Sequence, residues 1–350
     1  MTDSTLQFLA AAVALFALMA YAVLAGADFG GGVWDLLAFG PRRQAQRDAV
    51  AHAMGPVWEA NHVWLIFLLV VLFTCFPNGY SALSIALFVP FHLALVGIIL
   101  RGSAFVFRAY ASYGRDEIEK TPHWLAHPET WGAVFGAVSV VTPLLLGAAF
   151  GVITAGDARL GTSGGAAAAP IYTVAWLSPY CIGCGFLALS AFAYLAAVYL
   201  VAECDGELRE DFRRRAIFAG TTTAALSGIV LPLARHQAPW FFAQLMSARS
   251  LPIIFAGLAA FAASAVAVFR RRYRLSRIFA GGEIVLLLLG WGSAQMPYML
   301  YPDVTLAKAA APAATLRFLL ASLPFGMALL LPSLYLLFRV FKTSASQRHE

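Results

Sequence analysis

Nine stretches of roughly twenty largely apolar residues run through this chain, each long enough to cross a hydrocarbon core about 30 Å thick as a helix. They lie at 6–26, 58–76, 81–100, 131–154, 171–202, 216–234, 251–269, 278–296 and 316–341. Runs such as LIFLLVVLF show none of the apolar-polar alternation of a membrane barrel strand. The expected fold is therefore an all-α integral membrane protein. It forms a single polytopic domain over 1–350, and its order of spans is compatible with two four-helix bundles plus one peripheral helix. Of 350 residues, 61% are hydrophobic and 12% charged, against about a quarter charged in soluble domains. With a mean hydropathy of +0.75, lipid must cover what one soluble core could not.

Basic residues are retained on the cytoplasmic side of a membrane, so their distribution orients the spans. The segments after the first, third, fifth, seventh and ninth spans hold 19 of the 24 basic residues, among them Arg42, Arg43, Arg47, Arg101, Arg108, Arg213 to Arg215, and Arg270 to Arg272. This places the N-terminus outside and the C-terminus inside. No basic residue precedes the first span and Asp3 stands there instead, so it reads as a retained helix rather than a secretory signal. The pI of about 9.3 is explained by these inner-face arginines and anionic lipid, and no nucleic-acid partner is expected.

Cys181 and Cys184 form a C-x-x-C, but it lies in an apolar helix and no second pair completes a zinc site. The longest inner linker, 101–130, ends in His123, Trp124 and His127, and Trp131 opens the next span; all four suit the headgroup interface, while the outer linker 155–170 offers no chemistry. Near the outer face, Asp303 stands close to Lys308 and Arg317, a candidate loop-closing ion pair.

Ionisable residues inside a membrane are costly, so each defaults to a functional hypothesis with a partner. They concentrate in AGADFGGGVWDLL, which carries Asp28 and Asp35 two turns apart on one helical face, and in GPVWEANHVW, which carries Glu59, Asn61 and His62. Gly30 to Gly32 permit close backbone approach or a helix break. Glu59 falls at a helix start, where the dipole favours a carboxylate. Glu59 and His62 have the E-x-x-H spacing of di-iron bundles, but no matching copy exists, so a hydrogen bond or proton relay by His62 is expected before metal ligation. Arg101 is expected at the inner end of the third span, either as counter-ion to Glu59 or snorkelling to headgroups. His92 is expected to bond a neighbouring helix, and Glu283 sits well inside the eighth span.

The segments AGADFGGGVWDLL, GPVWEANHVWLI and GWGSAQMPYMLYPDVTLAKAAAPAATLR together resemble subunit II of the cytochrome bd-type quinol oxidases, including the cyanide-insensitive branch. That resemblance implies an enzyme complex of the bacterial cytoplasmic (inner) membrane that oxidises quinol and reduces oxygen to water with protons drawn from the cytoplasm. It implies that haem b and haem d sit on a homologous subunit I, with room for a small single-helix subunit and for a structural quinone or lipid. Subunit II would support the complex and line part of a proton path, with Glu59 and Asp28 matching acidic positions of the family. Ala25 stands where some relatives are acidic and His62 where some carry Gln, so the relay differs in detail here. Readings from other classes are a secondary transporter, with broken helices at Gly30 to Gly32 or Pro143, and a purely structural assembly subunit.

Overall fold

The computed structural model describes residues 2–54, 58–110, 128–157 and 175–346, without the side chains of 54, 58, 59, 109, 110, 128, 337, 338 and 340–346. Helices dominate because lipid offers the backbone no hydrogen-bond partner and a helix satisfies itself internally. In chain order they are α1 (Asp3–Leu36), α2 (Arg43–Met54), α3 (Trp58–Cys75), α4 (Pro77–Ala86), α5 (Phe88–Tyr110), α6 (Pro128–Ala155) and α7 (Pro179–Glu203). These are followed by α8 (Gly206–Gln237), α9 (Pro239–Leu245), α10 (Leu251–Phe269), α11 (Tyr273–Gln295), α12 (Leu306–Ala309) and α13 (Ala313–Ser346). A two-stranded antiparallel hairpin, β1 (Tyr298–Leu300) with β2 (Val304–Thr305), separates α11 from α12.

Among the described residues, eight helices are long and apolar enough to span a membrane, and a ninth span arises if α3 and α4, bent by 119° at Phe76, count as one. The stretch 81–100 is divided rather than continuous. Pro90 lacks an N–H and its ring would clash with the carbonyl four residues back, at Ala86, so the helix restarts instead of running through. The C-cap of α4 is Leu87, and α5 begins at Phe88 and continues to Tyr110. Arg101 consequently lies inside a spanning helix, not at its inner end.

α1 is the central element. At 34 residues it is about 50 Å long, more than a bilayer core requires. Thr2 opens it as N-cap, its hydroxyl accepting from the Thr5 N–H. Its glycines are a packing surface: a Cβ on Gly30 would collide with the Phe192 carbonyl of α7, and one on Gly32 with the Ser139 hydroxyl of α6. Small residues let membrane helices approach where apolar side chains gain little from leaving lipid. No break occurs there, and α6 likewise runs unbroken through Pro143. The α3–α4 bend lies elsewhere, so neither of the proposed transporter-like breaks exists.

α1, α3, α5 and α6 pack together, as do α7, α8, α10 and α11, with α1 and α6 meeting α7 between the groups. α13 touches α1 and α3, and none of its most apolar window is buried. At the arginine-rich end, Arg42 grips Asp211 through two hydrogen bonds of 2.8 Å. Arg215 donates to Gln46 across 2.6 Å, tying α2 to α8.

Candidate functional site

Asp28 is only 1% exposed, although it carries a carboxyl in a spanning helix. Asn61 of α3 donates its Nδ2–H to Asp28 Oδ2 across 2.7 Å. The second carboxyl oxygen, Oδ1, and the Asn61 Oδ1 have no hydrogen-bond partner among the described residues. Two acceptors therefore stand open at one buried position.

Arg101 of α5, 2% exposed, supplies the charge that opposes this carboxyl. Its Nη2 donates to the Asp28 backbone carbonyl at 2.9 Å and its Nε to Ser139 Oγ of α6 at 3.2 Å. Ser139 passes its own hydrogen to the Phe135 carbonyl at 2.7 Å, so its oxygen is free to accept. The guanidinium carbon lies 4.9 Å from the ring centroids of both Phe29 and Phe135, a cation sandwiched by two aromatic faces. Arginine tolerates this setting because its planar, weakly hydrated head can be satisfied by carbonyls and rings.

Tyr21 lies seven residues before Asp28, on the same face of α1, within electrostatic reach of both Asp28 and Arg101. Its buried hydroxyl has no hydrogen-bond partner among the described residues. The His62 ring meets Tyr21 edge-on at 5.9 Å and Phe29 at 6.0 Å, closing the cluster from α3.

Asp35 lies about 10 Å of helix rise nearer the arginine-rich end and is fully buried. Arg108 donates to its Oδ1 at 3.0 Å, and Arg47 to its backbone carbonyl at 3.3 Å. Glu59 is placed in the first turn of α3, two residues before Asn61, but its side chain lies outside the described residues. The structure thus joins Asp28, Asn61, His62 and Arg101 in one cluster and puts Asp35 on a separate pair.

Arg101 meets the backbone of Asp28 instead of terminating its helix, because α5 starts and ends later than expected. Tyr21 and Ser139 belong to the site and were not singled out from sequence. The seven-residue spacing from Asp28 pointed to Tyr21; no local pattern pointed to Ser139, which a different helix brings in. His92 bonds the Phe88 carbonyl of its own helix at 2.6 Å, not a neighbouring helix. Lys308 Nζ approaches the backbone carbonyl of Asp303, not its carboxylate. Cys181 and Cys184 are free thiols, and no group of three His, Cys, Asp or Glu suited to a metal occurs among the described residues. His123, Trp124 and His127 lie outside the described residues, while Trp131 stacks on Phe107 at 4.6 Å.

A buried carboxyl facing a cation, with amide and phenol groups at hand, is an arrangement that can hold and pass a proton. The model of the cytochrome bd terminal oxidase subunit II family matches residues 6–341. The chain belongs to that family. It is 24% identical over 335 residues to a putative cytochrome bd menaquinol oxidase subunit II of Bacillus subtilis, covering 92% of this chain and 91% of that protein. It is 30% identical over 227 residues to cytochrome bd-I ubiquinol oxidase subunit 2 of Escherichia coli, covering 61% of this chain and 53% of the relative. The fold is similar to a chain of the bd oxidase from Geobacillus thermodenitrificans, with TM-score 0.78 and 22% identity over 96% of this chain and 98% of that one. As a family member, the chain is a multi-pass membrane subunit that works with subunit I in a quinol oxidase complex.

Proposed function

We propose that this chain, as subunit II of a bd-type terminal quinol oxidase, supports a haem-bearing subunit I and lines a route by which protons enter from the cytoplasm. The observation that carries the reading is the Asp28 cluster: a carboxyl held by Asn61, opposed by Arg101, with one oxygen open. Asp35, nearer the arginine-rich end, lies on the same helix face and offers a second carboxylate oxygen without a hydrogen-bond partner among the described residues. Glu59 at the start of α3 is the proposed entry. A proton taken from inner-face water would pass to Asp28, whose change of charge Arg101 offsets at short range. Complete burial around Asp28 keeps bulk water from short-circuiting the transfer.

The haems are placed on subunit I. The His62 ring is packed against Tyr21 and Phe29, and His92 Nδ1 is engaged by the Phe88 carbonyl. The setting is the bacterial inner membrane, N-terminus outward. Quinol is the substrate of the complex, and a small single-helix subunit, lipid and a structural quinone are its further proposed components.

The test is quinol-driven oxygen consumption by the purified complex carrying Asp28→Asn or Glu59→Gln. Slowed turnover with unchanged visible haem spectra is expected; undiminished turnover in both variants would overturn the proton-path reading.

A further inference from the structure

Asp28, Asp35, Arg101 and Glu283 are all buried inside the bundle, but His92 of α5 is exposed on its outside. Its depth follows from a fixed offset between α5 and α1. Arg101 bonds the Asp28 carbonyl and Arg108 the Asp35 carboxylate, each pair 73 residues apart, so the two helices run side by side in the same direction. On that offset His92 is level with Met19, close to the midpoint of the 34-residue α1. Either end of α1 is roughly 24 Å away along the axis, and a hydrocarbon core is about 30 Å thick. The imidazole therefore stands near the middle of the membrane, away from headgroups and water.

The hydrogen bonding of this imidazole is complete on one side only. Nδ1 lies 2.6 Å from the Phe88 carbonyl oxygen, which can only accept, so Nδ1 carries a hydrogen. A second hydrogen on Nε2 would make an imidazolium, and His92 has no carboxylate partner among the described residues to offset that charge. At this depth an unpaired charge is costly, so the ring is neutral. Nε2 is then a lone-pair acceptor, and it has no hydrogen-bond partner among the described residues. The Phe88 ring, 4.1 Å from the imidazole centroid to centroid, keeps the group on its own helix.

The surroundings indicate what supplies the missing donor. Phe88, His92, Leu95, Val96 and Ile99 recur at helical spacing and form one exposed stripe, each apolar member half exposed or more. The opposite face of α5 is already taken: a Cβ on Gly97 would collide with the Thr142 hydroxyl, and Arg101 bonds Ser139, both of α6. The stripe runs for roughly 16 Å of helix rise and carries a single polar group. Acyl chains offer no donor to it, whereas hydrogen bonds between spanning helices are a regular means of joining them. We infer that His92 Nε2 accepts a hydrogen bond from a hydroxyl or N–H on a spanning helix of subunit I, and that this stripe of α5 is part of the contact between the two subunits. Subunit I is the occupant because a member of this family works with it in one complex. The inference rests on that pairing and not on the proton path: undiminished turnover in Asp28→Asn and Glu59→Gln would leave it standing.

The rate at which the assembled complex releases subunit I in mild detergent tests it. His92→Leu removes the acceptor and strands the partner's donor, so release should be roughly tenfold faster. His92→Gln, whose Oε1 can accept, should stay near wild type. Lipid against the stripe gives the opposite sign, because leucine suits acyl chains better than imidazole does. Release from His92→Leu at or below the wild-type rate would overturn the inference, as would equal acceleration in both variants. A benzophenone side chain placed at Leu95 should give a light-dependent adduct of the two subunits; adducts with lipid or a second copy of this chain alone would count against it. Haem spectra should be unchanged in the His92→Leu complex before release, and a lost haem band there would mean iron ligation by Nε2 and overturn the hydrogen bond. Should His92→Leu fail to assemble, the Leu95 adduct decides, its absence from the intact complex sinking the proposed contact.

Discussion

Asn61 donates to Asp28 across 2.7 Å, and this bond joins α3 to α1 at a depth where water is excluded. Removing the donor strands a buried acceptor, which costs about 1–3 kcal/mol. Asn61→Leu should therefore lower the thermal unfolding midpoint of the complex and slow turnover. Asp28→Asn, which keeps shape and polarity, should slow turnover with a smaller loss of stability. A thermal melt and an oxygen electrode distinguish the two effects.

Arg101 is held by two acceptors and two ring faces, a fit that follows from the guanidinium plane. Arg101→Lys keeps the charge but cannot reproduce the fork or the stacking. Removing the cation altogether, as in Arg101→Met, leaves the Asp28 carbonyl and Ser139 Oγ without their donor, at about 1–3 kcal/mol for each stranded buried acceptor, and the Asp28 carboxyl without its opposing charge. Yield of assembled, haem-containing complex should fall in the order wild type, Lys, Met.

Gly30 and Gly282 make a matched pair for helix packing. A Cβ at Gly30 meets the Phe192 carbonyl, whereas one at Gly282 meets nothing within 4 Å. Gly30→Ala should push α1 from α7 and lower the melting temperature. Gly282→Ala should be neutral or stabilising by about 0.5–1 kcal/mol through helix propensity. Equal tolerance of both would contradict the close α1–α7 packing.

Cys204 caps α7 just outside its span, and burial, reinforced by Glu203, pushes its thiol up to about 11. The unfolded thiol ionises near about 8.5, so between those values the unfolded chain holds fewer protons than the folded one. The stability from this group is present below the lower value and falls as pH rises through the window. Maleimide labelling of Cys204, followed by peptide mass spectrometry, should stay slow at neutral pH and rise only as pH approaches the folded value.

Much of the site's composition is legible in the amino-acid sequence. Asp28 and Asp35 share a face by spacing alone, and Asn61 and His62 follow Glu59 in one short segment. Arg101 is visible too, but its depth is not, because an apolar run does not announce that Pro90 and Leu87 will divide it. Tyr21 is readable from its register with Asp28. Ser139 and Phe135 are not, since each depends on which helices become neighbours.

By itself, the sequence determined that the chain would live in lipid as a set of helices, because runs of some twenty apolar residues leave the backbone no other way to bond itself. Its arginine clusters likewise marked the common end of those helices. Only the tertiary structure decided that Arg101 would face the backbone of Asp28, and that Ser139 would reach it from a third helix. Such pairings depend on helix rotation and depth, which close glycine contacts and shared polar groups set across the bundle and no local spacing encodes.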